Sequence, residues 1–316
     1  MKRILSSIAT LSLVVNFASA QQVWINEVLT NPNGSDSSAT TGNEYFELRG
    51  TPNMSLAGYY LLSLEGQGAA AGDINQFFDL GSFSLGDNGF LFARQNNSQY
   101  TSTAPGATVL QNTAGQGWGL TGASTVGHSG DGTQVDWENS ASTIMLINIG
   151  SGSAPTLTTD LDTDNDGLLD LPADWVVVDS IGIMDGASAA AGDWSYGAIT
   201  FRAAFPDGNY LGQSTYGNII DVPGAPPTTA GAFYVGRIGD STGSTAGDWF
   251  GANLTGSAND PLNITFLYAS DERFVGLTLP DMIFGGANPI PEPGSLALLA
   301  LGGLGLLLRR RDHCVR

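Results

Sequence analysis

Five aspartates crowd into the eleven residues Asp160-Leu161-Asp162-Thr163-Asp164-Asn165-Asp166-Gly167-Leu168-Leu169-Asp170, where they repel one another unless a cation intervenes. Carboxylates at alternate positions converge only if the chain wraps around a point. Counting Asp162 as position 1, the stretch offers Asp162, Asp164 and Asp166 at 1, 3 and 5 and Gly167 at 6 for a sharp turn. The Leu168 carbonyl follows at 7 and Asp170 at 9. That is the oxygen-rich set a hard cation such as Ca2+ takes. Position 12 is Ala173 rather than a bidentate Glu, so Asp160 or Asp174 must supply further oxygen. The expected affinity is weak, on the order of 10⁻⁴ to 10⁻³ M. The other reading is a solvated acidic hairpin loop.

The stretch resembles the calcium loops of EF-hands, dockerins and thrombospondin type 3 repeats, which implies Ca2+ as a structural cofactor. Other chemistry is thinner. Glu27, Glu44 and Glu47 invite a paired-carboxylate hydrolase reading, which needs carboxyl groups about 5 to 10 Å apart. Alternation instead sets Glu44 with Phe46 and Leu48 on one face and Glu47 with Tyr45 on the other. His313 lies near the C-terminus, leaving His128 as the histidine of the body, in a Gly-rich stretch where a solvated side chain is the ordinary expectation. Gly117-x-Gly119-x-x-Gly122 matches a dinucleotide fingerprint by letter but lacks the flanking strand and helix, so it reads as a loop. No catalytic residue is assigned.

Composition narrows the classes further. The chain has 316 residues with 43 Gly, 13% charged residues and a single Cys, Cys314, which excludes a disulfide framework and a Cys-based zinc site. Residues 21–290 hold 28 acidic groups against Arg49, Arg94, Arg202, Arg237 and Arg273, a net charge of −23 without one lysine. Nucleic-acid binding needs the opposite sign, because phosphate neutralisation supplies most of its affinity.

Both ends read as addresses. Lys2 and Arg3, an apolar stretch from Ile4 to Val15, and Ala18-Ser19-Ala20 form a secretory signal peptide over residues 1–20, cleaved after Ala20. At the other end stand Pro291-Glu292-Pro293, an uncharged Gly294 to Leu308, and Arg309-Arg310-Arg311. Fifteen residues make a helix of about 22 Å, a transient inner-membrane span somewhat short of the usual ~30 Å hydrocarbon core, with the arginines on the cytoplasmic side. This order, over residues 290–316, resembles the PEP-CTERM sorting signal. The resemblance implies recognition and tail removal by an exosortase, and delivery to the cell surface or extracellular matrix. A plain C-terminal anchor, with the tail retained, is the alternative.

The elements that must position these residues read as strands. Short apolar or alternating runs occupy Val23 to Leu29, Glu44 to Leu48, Tyr59 to Leu64, Gln76 to Leu80, Phe90 to Arg94, Ile144 to Ile149, Trp175 to Ile183, Phe233 to Ile238 and Ile264 to Tyr268. None has helical length and period, and turn residues separate them, so the fold class is all-β, a sandwich. Trp24-Ile25-Asn26-Glu27-Val28-Leu29, Glu44-Tyr45-Phe46-Glu47-Leu48, Leu56-Ala57-Gly58-Tyr59-Tyr60-Leu61, Leu85-Gly86-Asp87-Asn88-Gly89-Phe90-Leu91 and Val178-Asp179-Ser180-Ile181-Gly182 follow in order. That series resembles the lamin-tail domain, which implies an immunoglobulin-like β-sandwich over residues 21–183. Residues 184–289 are either an elaborated end of that sandwich or a second β module.

The expected function is that of an exported, non-catalytic surface or matrix protein with one structural calcium loop. Its partners would be extracellular polysaccharide or surface proteins, reached through loop tryptophans such as Trp118, Trp137, Trp194 and Trp249 unless these are core. An extracellular hydrolase acting on polysaccharide or phosphoester polymer is the competing class.

Overall fold

The computed structural model describes residues 22–32, 37–38, 40, 42–138, 141–184, 194–203, 218–222, 233–255 and 261–290. The signal peptide with Ala18 and Ala20, and the tail with Pro291, Glu292, Pro293, Arg309, Arg310 and Arg311, lie outside the described residues. Within them the chain is all-β, its helical content limited to single 3-10 turns such as Glu272–Phe274 and Leu279–Asp281.

All nine expected strands form, with ends within two residues of those read from periodicity. They are β1 (Val23–Leu29), β2 (Tyr45–Gly50), β3 (Tyr59–Glu65), β4 (Ile74–Asp79), β5 (Phe90–Arg94), β8 (Ser142–Asn148), β9 (Val176–Met184), β12 (Phe233–Arg237) and β14 (Thr265–Ala269). Five more complete the set: β6 (Thr108–Gln111), β7 (His128–Gly130), β10 (Ile199–Ala203), β11 (Asn218–Val222) and β13 (Trp249–Thr255). Two seven-stranded sheets result, ordered β14-β13-β12-β1-β2-β5-β6 and β11-β10-β9-β8-β3-β4-β7. Pairing is antiparallel except for β5 with β6 and for β10 with both β9 and β11.

Alternate residues of both sheets meet in one core. Val23, Ile25, Val28, Phe46, Leu48, Leu91, Val235 and Trp249 come from the first sheet, and Leu61, Phe78, Ile144, Leu146, Ile181, Ile183, Phe201 and Val222 from the second. Strands from residues 184–289 therefore extend sheets begun by the first half. β12 pairs with β1, and β10 with β9.

Each sheet's opposite face is also covered. On the first sheet Leu29, Tyr45, Phe92, Tyr234, Phe250 and Phe266 pack under Phe274, Leu279, Met282 and Phe284 of the C-terminal segment. On the second, Tyr60, Leu62, Leu64, Ile74, Met145 and Ile147 pack under Leu161 and Trp175, with Leu169 and Leu171 partly buried beside them. The acidic loop thus rides on an apolar underside. Asp164, Asp166 and Asp170 stay exposed while Leu161 and Trp175 are buried, and Asp162 is buried with them.

Candidate metal centre

The loop leaves the second sheet after β8 and returns to it as β9. Its outgoing arm runs beside the start of β4: Ile74 N–H donates to Thr159 O at 3.0 Å, Thr158 N–H to Ile74 O at 2.9 Å, and Leu161 N–H to Gly72 O at 3.0 Å. Gly72 sits at φ +96°, and a Cβ there would come within 2.8 Å of the Asp162 side chain. A glycine is therefore required for the arm to close.

Asp162 is fully buried and acts as the hub. Its Oδ1 accepts from Asp166 N–H at 3.0 Å, and its Oδ2 from Gly167 N–H at 3.0 Å and the Tyr196 hydroxyl at 2.7 Å. These bonds bend the chain through Asn165 (φ 53°) and Gly167 (φ 84°), the left-handed positions that the sharp turn at Gly167 calls for. As a result Asp162, Asp164 and Asp166 each bring a carboxylate oxygen within 4.8 Å of the others, the latter two exposed. Such a set of carboxylate oxygens is of the kind a hard divalent cation takes.

The other expected ligands behave differently. Asp170 Oδ2 accepts from the Thr163 N–H at 3.1 Å and from its hydroxyl, closing the loop neck. Asp160 Oδ1 accepts from Asp162 N–H at 2.8 Å, a local turn bond. Leu168 is exposed, its N–H donating to Asp166 Oδ1 at 2.8 Å. Asp174 is exposed on the returning arm, where a cleft of about 390 Å³ is lined by Gly152, Ser153, Thr156, Pro172, Asp174 and Trp175.

Of the residues weighed for catalysis, Glu44 and His128 are engaged in buried hydrogen bonds, and Glu27 and Glu47 face each other across β1 and β2. Glu44 accepts from Gln95 Nε2 at 2.6 Å, Trp118 Nε1 at 2.7 Å and the Trp137 N–H at 2.9 Å, stapling the 96–140 excursion to the shared core. Glu47 lies on the other face of β2, as alternation requires. His128 is a correction: it is buried rather than solvated, because it belongs to β7, with Nδ1 2.7 Å from Gly119 O and Nε2 3.2 Å from Gln76 Oε1. Burial lowers its pKa from 6.5 to about 4, so the ring is neutral. For the tryptophans the structure decides between the two readings, loop and core. Trp118, Trp137 and Trp249 are buried and Trp194 is half-buried, because ring stacking among Trp118, Trp137 and Phe46 is itself the core. Gly117, Gly119 and Gly122 all have positive φ and form a loop, not a phosphate cradle.

Two buried features had no legible signal in the sequence. Arg237 on β12 donates to Asp179 on β9 at 2.6 Å and to Ile25 O at 2.7 Å, while its guanidinium lies 4.2 Å from the Trp249 ring centroid. One ion pair thereby ties the two sheets. The other is the facing pair Glu27 and Glu47.

Residues 289–311 match the family model described as the PEP-CTERM protein-sorting motif. The motif marks the chain as an exported, surface-sorted protein carrying a membrane-anchored C-terminal sorting signal, processed by exosortase-type machinery. Among the described residues no helix is long and apolar enough to cross a membrane, and the expected span from Gly294 to Leu308 lies outside them. Neither curated proteins nor solved structures give a match.

Proposed function

We propose that the chain is an exported, non-catalytic component of the cell surface or extracellular matrix whose acidic loop is ordered by calcium. The observation that carries the calcium reading is the convergence of Asp162, Asp164 and Asp166 within 4.8 Å on a loop bent at Gly167. Asp170 and the Leu168 carbonyl complete the set in this reading, with Asp160 and Asp174 as further oxygen donors. Calcium then stiffens the strap that covers the outer face of the second sheet. The cleft beside Trp175 and Asp174, mainly apolar with one aromatic edge and a few polar groups, is where a neutral glycan of the matrix would lie.

A lamin-tail-like architecture belongs to the same proposal. Its support is that the five motif segments fall on or next to β1, β2, β3, β5 and β9, which share one core across both sheets. The non-catalytic reading is supported by the engagement of Glu44 and His128 in buried hydrogen bonds.

Co-sedimentation of the mature protein with exopolysaccharide from the producing organism, in calcium and in chelator, tests the function. Binding in calcium that falls in chelator is the expected result. No binding in either condition would contradict a matrix-binding role, and sugar release from the polymer would point to a hydrolase.

A further inference from the structure

Glu27 and Glu47 face each other across β1 and β2, both fully buried on the side of the first sheet turned away from the shared core. A bulge between Ile25 and Glu27 puts Glu27 there. Without it Glu27 would follow Val23 and Ile25 inward. The C-terminal segment 283–288 lies over the pair. Gly285 N–H donates to Glu47 Oε2, and Asn26 Nδ2 donates to Glu47 Oε1 at 2.7 Å. Asn288 Nδ2 donates to Arg237 O at 3.1 Å, and the Tyr234 hydroxyl donates to Glu27 Oε2.

Among the described residues no cationic side chain hydrogen-bonds to either carboxylate, and the Arg49 charge acts on Glu47 only from a distance. The groups facing them are Tyr45 and Arg49 from β2, Tyr234 from β12, and Tyr100 beside Tyr45. The Arg49 guanidinium is taken by Gly239 O and Asp240, and segment 283–288 brings no ionisable side chain. Around the pair, Glu27 Oε1, Tyr45 Oη, Tyr100 Oη, Asn26 Oδ1 and Asn288 Oδ1 are buried oxygens that make no hydrogen bond of ordinary geometry. Asn288 and Tyr45 stand beside the Glu27 carboxyl. Two carboxyl groups buried face to face without a cationic partner cannot both be charged cheaply, so one of them carries a proton.

We propose that one carboxyl of the facing pair Glu27 and Glu47 holds a proton, and that the pair forms a latch that holds residues 283–288, the last described stretch before the sorting motif, on the first sheet. The motif begins at residue 289, directly after Asn288, so the latch fixes the point from which the sorting signal leaves the body. Burial raises Glu27 from 4.5 to about 7, and burial together with the Glu27 charge raises Glu47. Folded protein therefore holds more protons than the unfolded chain as pH rises from about 4.5 through 7. The latch is closed at the acid end of that window and weakens toward its alkaline end.

Amide hydrogen exchange of residues 283–288 in the mature protein, at pH 5 and pH 8.5 in chelator and corrected for intrinsic rate, tests the latch. Wild-type protection should fall at least tenfold at pH 8.5, while Glu27→Gln, which imitates the protonated acid, should stay protected at both. Identical pH dependence in wild type and variant would overturn the proposal. So would protection restored to wild type at pH 8.5 by calcium, a result that assigns the pair to a cation. Should the variant fold poorly, infrared spectra of wild type at pH 6 must still show a protonated carboxylic acid that ionises on alkalinisation, and its absence overturns the proposal equally.

Discussion

Asp162, Glu44 and His128 are polar side chains taken fully or almost fully out of water, and each is held there by hydrogen bonds to named partners. For His128 this makes a pH prediction. The folded pKa of about 4 lies below the unfolded 6.5, so the unfolded chain binds the extra proton, and the stability held above pH 6.5 is lost as pH falls toward 4. Thermal melts from pH 7 to pH 4 should show a decline that His128→Gln flattens by up to about 3 kcal/mol; an unchanged slope would mean the ring is solvated. Glu44→Gln should cost about 2 to 4 kcal/mol in denaturant melts, because one amide cannot accept from Gln95, Trp118 and Trp137 together. A loss below 0.5 kcal/mol would remove the staple from the account.

At the scale of elements, period-2 alternation located nine strands and missed five, three of them for separable reasons. Trp249–Thr255 carries Gly251 and Ala252 where apolar bulk was sought, and Gly251 is small because a Cβ there would lie 2.6 Å from the Phe201 ring. β6 and β7 are only four and three residues long, too short for a period to register. The bulge at Asn26 changes the phase of β1, so the face of Glu27 was illegible although the strand was plain. The aspartate spacing of the loop was legible, since the turn at Gly167 and the convergence of three carboxylates follow from it. Its apolar underside was not, because the contacts of Leu161 and Trp175 come from strands about 15 to 115 residues away. Leu161→Ala should therefore cost about 2 to 4 kcal/mol by leaving a cavity over β3 and β8. Urea melts would check this, and a neutral result would mean the strap is not packed.

For the whole molecule, the first and second halves of the chain are interwoven rather than sequential, and the buried Arg237–Asp179 pair spans the join. Removing one partner of such a pair leaves a stranded charge, so Arg237→Met should lose about 3 to 5 kcal/mol and melt both sheets in one transition. Two separated transitions would argue for a second module. The charge of −23 over residues 21–290 is compatible with the proposed cation binding by an exported body. The most direct measurement is a calorimetric calcium titration of the mature protein beside its Asp164→Ala variant. The account predicts one weak site in wild type, on the order of 10⁻⁴ to 10⁻³ M, and none in the variant. Equal calcium heats in the two proteins, or none in either, would contradict it.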